Sequence, residues 1–207
     1  MRFAQINKII PFLVMLVLLL LVVAIRLRLL EVPLERDEGE YAYGAQILLQ
    51  GGLPYVDFYS MKLPGIYFLY AIFIKLFGDT KTAIHLGLLC INILSIFLVY
   101  ILGKRLFSGF AGLFASASYA LLILGQTIQG AFANAEHFVN LFIIAAFLFL
   151  VKGFGKDRKL EIFISGVLVG VALLIKQHSI FFIPFFVATL WISGKGLGLQ
   201  QSFHVSS

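Results

Sequence analysis

The stretch LERDEGEYAYGAQ, residues 34–46, carries five charges directly after a run of hydrophobic residues. Asp37, Glu38 and Glu40 sit almost side by side, and Lys62 follows one loop later. A positioned carboxylate can take a proton, and a lysine can meet a developing anion. A purely structural use of the same residues also exists. The pattern DEGE predicts a helix start, with Asp37 as N-cap and Glu40 completing a capping box. That helix would run to Gln50, stop at Gly51 and Gly52, and carry Tyr41, Ala45 and Leu48 on one face. Capping needs one acid, so it leaves Glu38 and Lys62 unexplained.

The acids are not spread evenly. Of ten, seven lie between residues 31 and 81: Glu31, Glu35, Asp37, Glu38, Glu40, Asp57 and Asp79. Asp157 and Glu161 fall beside basic residues further along, and Glu136 stands alone at the start of an apolar run. Charge is therefore gathered on one loop and on one later edge.

The elements that must position these groups are hydrophobic to an extent that excludes a water-soluble domain. The 207 residues are 61% apolar, against about 45–50% for soluble domains. Lipid must solvate the excess, which predicts an all-α polytopic membrane protein. The net charge of +6 does not point to nucleic acid, because the basic residues cluster between apolar runs where topology signals belong. The single cysteine, Cys90, excludes a disulfide framework and reads as a small packing residue. The first apolar run is too long for a signal core and has no small-x-small cleavage site, so it reads as an uncleaved span.

Six segments satisfy the length of a span: about 9–30, 82–103, 107–126, 137–154, 160–176 and 178–194. A seventh apolar piece, residues 63–78, decides the topology. If it crossed, the basic loops at 103–105 and 155–159 would face outward. If it lies on the surface, Arg2, Lys8, Lys104, Arg105, Lys152, Lys156, Arg158, Lys159 and Lys195 face the cytoplasm and only Lys176 remains basic among the short outer loops, which the positive-inside rule favours. Its aromatics, Tyr67, Phe68, Tyr70, Phe73 and Phe77, suit an interfacial helix, and Lys75 would be expensive at mid-bilayer. Residues 31–81 are then one long outer loop with surface helices. Residues 126–136 form a second outer loop, and the polar tail 195–207 is expected to be without structure.

The stretch from Asp37 to Gly78 resembles the first outer loop of polyprenyl-phosphate-sugar-dependent glycosyltransferases. These are GT-C membrane enzymes related to protein O-mannosyltransferases and aminoarabinose transferases, the nearer likeness being to bacterial members that glycosylate lipopolysaccharide. An Asp-Glu pair follows the first span. A Gly-Gly-x-Pro-Tyr-x-Asp turn follows the first surface helix, and Lys62-Leu63-Pro64-Gly65 opens the second. Further on, NAEHF (134–138) and LLIKQHS (173–179) match later elements of the family in order. Two departures stand out. Ser60 and Met61 occupy positions where the family has an acid or histidine before the lysine, and Leu63 replaces a proline. Relatives also have about twice as many spans, so residues 1–194 are expected to be the N-terminal half of such an enzyme, a truncated one.

The resemblance implies a polyprenyl-phosphate sugar as donor and a lipid, glycan or protein hydroxyl as acceptor, with reaction on the outer face of a bacterial plasma membrane. Displacement at the anomeric carbon needs a base and a cation for the leaving phosphate. Asp37 fits the base, with Glu38 orienting it or binding acceptor. Lys62 fits the cation, and Glu136 and Lys176 are expected to bind substrate. A divalent metal is conceivable at His137 and His178 beside Glu136, but nothing in the spacing supports one, so the cofactor is left open. Two other readings compete: an inactive remnant or accessory subunit that binds lipid phosphate, and a transporter of lipid-linked sugar. A transporter needs polar groups near mid-membrane, whereas these spans are almost free of charge at their centres. Arg26, Arg28 and Arg36 read as headgroup contacts.

The topology is open to a labelling test. In a Cys90→Ser background, single cysteines at Gln50 and Gly155 should react with an impermeant thiol reagent from opposite sides of the membrane. Labelling of both from the outer side would contradict the six-span arrangement.

Overall fold

The computed structural model describes residues 2–154 and 159–204. They form α1 (Arg2–Leu29), α2 (Arg36–Leu49), α3 (Gly65–Phe77), α4 (Lys81–Leu106), α5 (Gly109–Leu122), α6 (Ala135–Lys152), α7 (Lys159–Ile175) and α8 (Phe182–His204). Short 3-10 turns stand at Gln126–Ile128 and Gln177–Phe181, and the described residues contain no β-strand. Each segment expected to span falls on a helix. Among the described residues two helices, α4 and α6, are long and apolar enough to cross a membrane. The shorter α5, at 14 residues, rises only about 21 Å.

The bundle buries a few small polar residues within an apolar core and presents large aromatic side chains on its outside. Asn92, Ser95, Ser116 and Ser165 are buried, while Phe110, Phe114 and Phe163 are each more than two-thirds exposed. Such a distribution has no rationale in water, where exposed aromatics in rows cost free energy. It is the arrangement expected of helices whose outer faces meet lipid and whose small polar residues meet each other. Cys90 shares the outer surface rather than the packing role expected of it. Contact between α4 and α5 is close because Gly103 and Gly112 face each other. A Cβ on Gly112 would lie 2.5 Å from the Tyr100 carbonyl oxygen.

The helix at residue 36 starts two residues earlier than its sequence suggested. Glu35, not Asp37, is the N-cap, and its carboxylate accepts the Asp37 N–H at 2.8 Å. Glu38 closes the capping box by accepting the Glu35 N–H at 2.8 Å. In a run this rich in acids several caps are possible. The register chosen is the one that points Glu38, Tyr41 and Ala45 inward together. The far end follows the expected glycine stop. Gly51 adopts φ +88°, and the Gly52 and Gly51 N–H groups close a Schellman pattern on Ile47 and Leu48 at 2.9 and 3.0 Å.

Helix α3 packs on α2, α4 and α7. Its aromatics divide by face: Tyr67, Tyr70 and Phe73 are buried, whereas Phe68 and Phe77 point out. Gly44 makes the α2–α3 contact possible, since a Cβ there would sit 2.6 Å from the Tyr67 ring. Helix α8 continues to His204, through most of the tail expected to lack structure. Adding turns to an existing helix is far easier than starting one.

Two buried charges tie together the end of the bundle where α1 and α5 finish and α2 begins. Arg26, expected at the headgroups, is instead 2% exposed and donates to the carbonyls of Ile123 and Ala131 at 3.2 and 3.4 Å. Ile123 ends α5, where unpaired carbonyls attract a cation. Glu38 is fully buried. Besides the Glu35 N–H it accepts the Ala133 N–H, and His85 Nε2 lies 3.3 Å away. His85 Nδ1 donates to the Leu30 carbonyl at 2.9 Å. The Ala133 carbonyl is held from the other side by Tyr70 OH at 2.7 Å. A carboxylate with these partners is costly to remove, because it leaves two N–H groups unpaired in the interior. Glu38→Ala should therefore destabilise the protein by roughly 3–5 kcal/mol. Denaturation in detergent micelles reads this directly, and an unchanged midpoint would show that Glu38 does not hold α2 to the segment before α6.

Candidate active site

Of the seven acids in residues 31–81 and Glu136, five are occupied with structure. Glu35 and Glu38 form the capping box. Glu31 accepts from Thr82 Oγ1 at 2.6 Å and pairs with Lys81 at 3.2 Å. Asp57 accepts the Leu53 N–H at 2.7 Å, and Asp79 accepts from Gln46 at 2.8 Å. The remaining three, Asp37, Glu40 and Glu136, each contact a lysine.

Lys62 is the centre of the first group. Its ammonium lies 3.1 Å from Asp37 Oδ1 and 3.0 Å from Glu40 Oε2. It also donates to Tyr41 OH at 3.3 Å and sits 4.4 Å from the centre of the Tyr41 ring. Asp37 and Glu40 can both reach it because residues three apart share a helix face. The loop presenting Lys62 is fixed by its own bonds. Tyr55, left-handed at φ +68°, donates its hydroxyl to the Lys62 carbonyl at 2.7 Å. The Lys62 N–H donates to Ser60 Oγ at 3.0 Å.

Gly65 brings this loop to the second group. A Cβ at that position would stand 2.6 Å from the backbone of Leu174, so only glycine lets the start of α3 lie on the end of α7. The next residues of α7 lead into Lys176, which makes a close ion pair with Glu136 at the start of α6. One cleft of about 170 Å³ is lined by Asp37, Tyr41, Lys62, Lys176 and His178. An adjoining cleft of about 310 Å³ is lined by Glu136, Asn140, Lys176, His178 and Phe182. Lys176 and His178 border both.

Of the five residues singled out in the sequence, Asp37, Lys62, Glu136 and Lys176 therefore border one or both of two clefts that share Lys176 and His178. Glu38 does not: it is buried behind them and serves the fold. Glu40, Tyr41, Ser60 and Tyr67 are the additions. Glu40 was legible as the helical neighbour of Asp37 but had been given a capping role. The substitution of Ser60 for an acid before the lysine finds its counterpart here, since Ser60 Oγ donates to Glu40 at 3.0 Å. The described residues hold no cluster of three or more metal-binding side chains.

The electrostatics follow from these contacts. Partial burial opposes ionisation of Asp37, but the hydrogen bond and charge of Lys62, with Arg36, hold its carboxyl below the usual value. Glu40 behaves alike: burial opposes, and Lys62, Tyr67 and Ser60 prevail. Lys62 is pushed up from its ordinary value; its desolvation is outweighed by the two carboxylates. Burial pushes the Tyr41 hydroxyl up to about 12, so it stays protonated.

A family model of dolichyl-phosphate-mannose-protein mannosyltransferases matches residues 62–205. The chain belongs to that family, a GT-C type of membrane-embedded glycosyltransferase. No curated protein and no solved structure matches it. Lys62 opens the matched stretch and Glu136 and Lys176 lie inside it, whereas Asp37 and Glu40 precede it.

The Lys62 cluster has a measurable pH signature. Asp37 and Glu40 are depressed in the folded state, so the stability they contribute is present above their unfolded pKa of about 4 and is lost as pH falls through the folded values. In Lys62→Met both carboxyls lose their cation. The thermal midpoints of wild type and variant should differ most above about pH 5 and converge toward about pH 3. Because the groups are about a third exposed, the gap should be on the order of 1 kcal/mol. A gap that does not change with pH would contradict the pairing.

Proposed function

We propose that this protein transfers a sugar from a polyprenyl-phosphate donor to a hydroxyl acceptor on the outer face of a bacterial plasma membrane. Six spans carry the outer loop 31–81, and residues 1–194 act as the N-terminal half of the transferase domain. The family is named for a dolichyl-phosphate-mannose donor and a protein acceptor. The chemistry adopted here is the shared part: a sugar on a polyprenyl phosphodiester and an attacking hydroxyl. The observation that carries the reading is that Lys62 and Lys176, from different ends of the sequence, face one cleft with Asp37 at its edge.

In the reaction the acceptor oxygen attacks the anomeric carbon while the bond from that carbon to the phosphate oxygen breaks. The acceptor proton passes to Asp37. The bonding pair goes to the phosphate, which leaves as a monoester with one more negative charge. That charge grows in the transition state, where Lys62 and Lys176 stabilise it more than they stabilise the singly charged donor. Tyr41, protonated and over Lys62, offers a further donor at the same place. Glu136 holds Lys176 at the junction of the two clefts, and the larger cleft takes the acceptor.

Asp37→Asn separates chemistry from structure. Asparagine cannot serve as a base of similar strength, so transfer to acceptor should fall by about a hundredfold or more. The helix cap belongs to Glu35, so the thermal midpoint should fall only by the share of the Lys62 pair, at most about 1 kcal/mol. Assays in lipid nanodiscs with a polyprenyl-phosphate sugar report the first, and thermal unfolding the second. Near-normal transfer with intact folding would remove Asp37 from the role of base.

A further inference from the structure

The two carboxylates on Lys62 are held unequally. Glu40 Oε1 accepts from Tyr67 OH at 2.9 Å and Ser60 Oγ at 3.0 Å, which leaves Oε2 free for Lys62. Tyr67 is fully buried, and Ser60 belongs to the loop that carries Lys62. Glu40 is thus fastened to the lysine's own support. Asp37 has only weak alternatives for its side chain. Tyr41 OH lies 3.5 Å away and Arg36 3.4 Å away, both at the long limit of a hydrogen bond, and the Arg36 side chain is 89% exposed. An anion competing for Lys62 would displace Asp37 before Glu40. Lys176 offers the same prospect, because its partner Glu136 has a side chain 60% exposed.

We propose that the donor's phosphodiester, on entering between Lys62 and Lys176, takes Asp37's place on Lys62 while Glu40 stays, so that the base is unmasked only once the donor is seated. The proposal rests on reading the cleft as a lipid-phosphate-sugar site. In the empty cleft an ammonium covers Asp37 and makes it a poor proton acceptor. With donor bound, Asp37 has lost that cation and gained a neighbouring anion, and both changes raise its affinity for a proton. Binding order follows: donor first, acceptor second. The other groups facing Asp37 are Arg36, Glu40 and Tyr41 on its own helix and Lys176 and His178 across the cleft, with Glu136 behind Lys176. Of these, Glu136 can also gain a proton when Lys176 turns to phosphate.

The test is isothermal titration of the full chain in nanodiscs with farnesyl methyl phosphate, a diester that bears one fixed charge and no sugar. Titrations at about pH 5, near the carboxylate range, in two buffers of different ionisation heat, give the protons taken up per ligand bound. Wild type should take up protons. Asp37→Asn should bind at least as tightly, having lost the competing carboxylate, with uptake cut by half or more. Glu136→Gln reports the rest. Glu40→Gln, which keeps an oxygen for Tyr67 and Ser60, should retain most of the uptake. Equal uptake in wild type and Asp37→Asn, or loss of uptake in Glu40→Gln instead, would overturn the exchange and leave the phosphate reading standing. Failure of every version to bind the diester would overturn the phosphate reading and the exchange together.

Discussion

The end of the bundle that carries α2 and α3 depends on one carboxylate that never meets water. Glu38 caps the start of α2, accepts the Ala133 N–H and lies against His85 of α4. Among the described residues it is the polar link between α2 and the segment leading into α6. Tyr70 grips the other side of the same peptide, so Ala133 is held by α2 and α3 at once. Because Glu38 fixes the register of α2, Asp37 and Glu40 emerge on the side that faces the cleft. Because it fixes residue 133, α6 begins where Glu136 can reach Lys176. A buried ionic group is weak evidence for stability, since an apolar replacement can serve as well. Its value here is positional.

A second constraint is the close approach of backbones. Gly65 lets the Lys62 loop lie on the last turn of α7, and Gly44 lets α2 lie on Tyr67. Two cations distant in sequence thereby border one small recess. Each rests on a carboxylate, which lowers the cost of holding an ammonium at a membrane surface and leaves it able to change partner. A cleft built this way suits an anion better than a neutral ligand, and it suits an anion whose charge increases during reaction best of all.

Much of this was legible in the sequence, for reasons that differ by element. The apolar helices are visible because lipid demands long unbroken hydrophobic runs, and α3 because Pro64, Gly65 and Gly78 bound it. Lys62 and Lys176 stand out as cations beside motifs in an otherwise apolar chain. The start of α2 was misread by two residues, since five charges within residues 34–46 offer more than one cap and only tertiary packing selects among them. Glu38 reads as a site residue in the sequence because its partners, Ala133 and His85, lie 95 and 47 positions away. Glu40 was hidden for the converse reason: a local capping role was available and explained it too early. Arg26 looked like a headgroup contact because the carbonyls that bind it, at Ile123 and Ala131, become acceptors only where α5 stops.

The central claim is that Lys62 and Lys176 share one phosphate. Electron cryo-microscopy of the full chain in nanodiscs, saturated with a polyprenyl phosphodiester and carried on a rigid antibody fragment, tests it without recourse to activity. Headgroup density is expected between the two ammonium groups, with Asp37 turned away from Lys62 and Glu40 still on it. Headgroup density elsewhere on the bundle, with the Lys62–Asp37 pair intact, would contradict it.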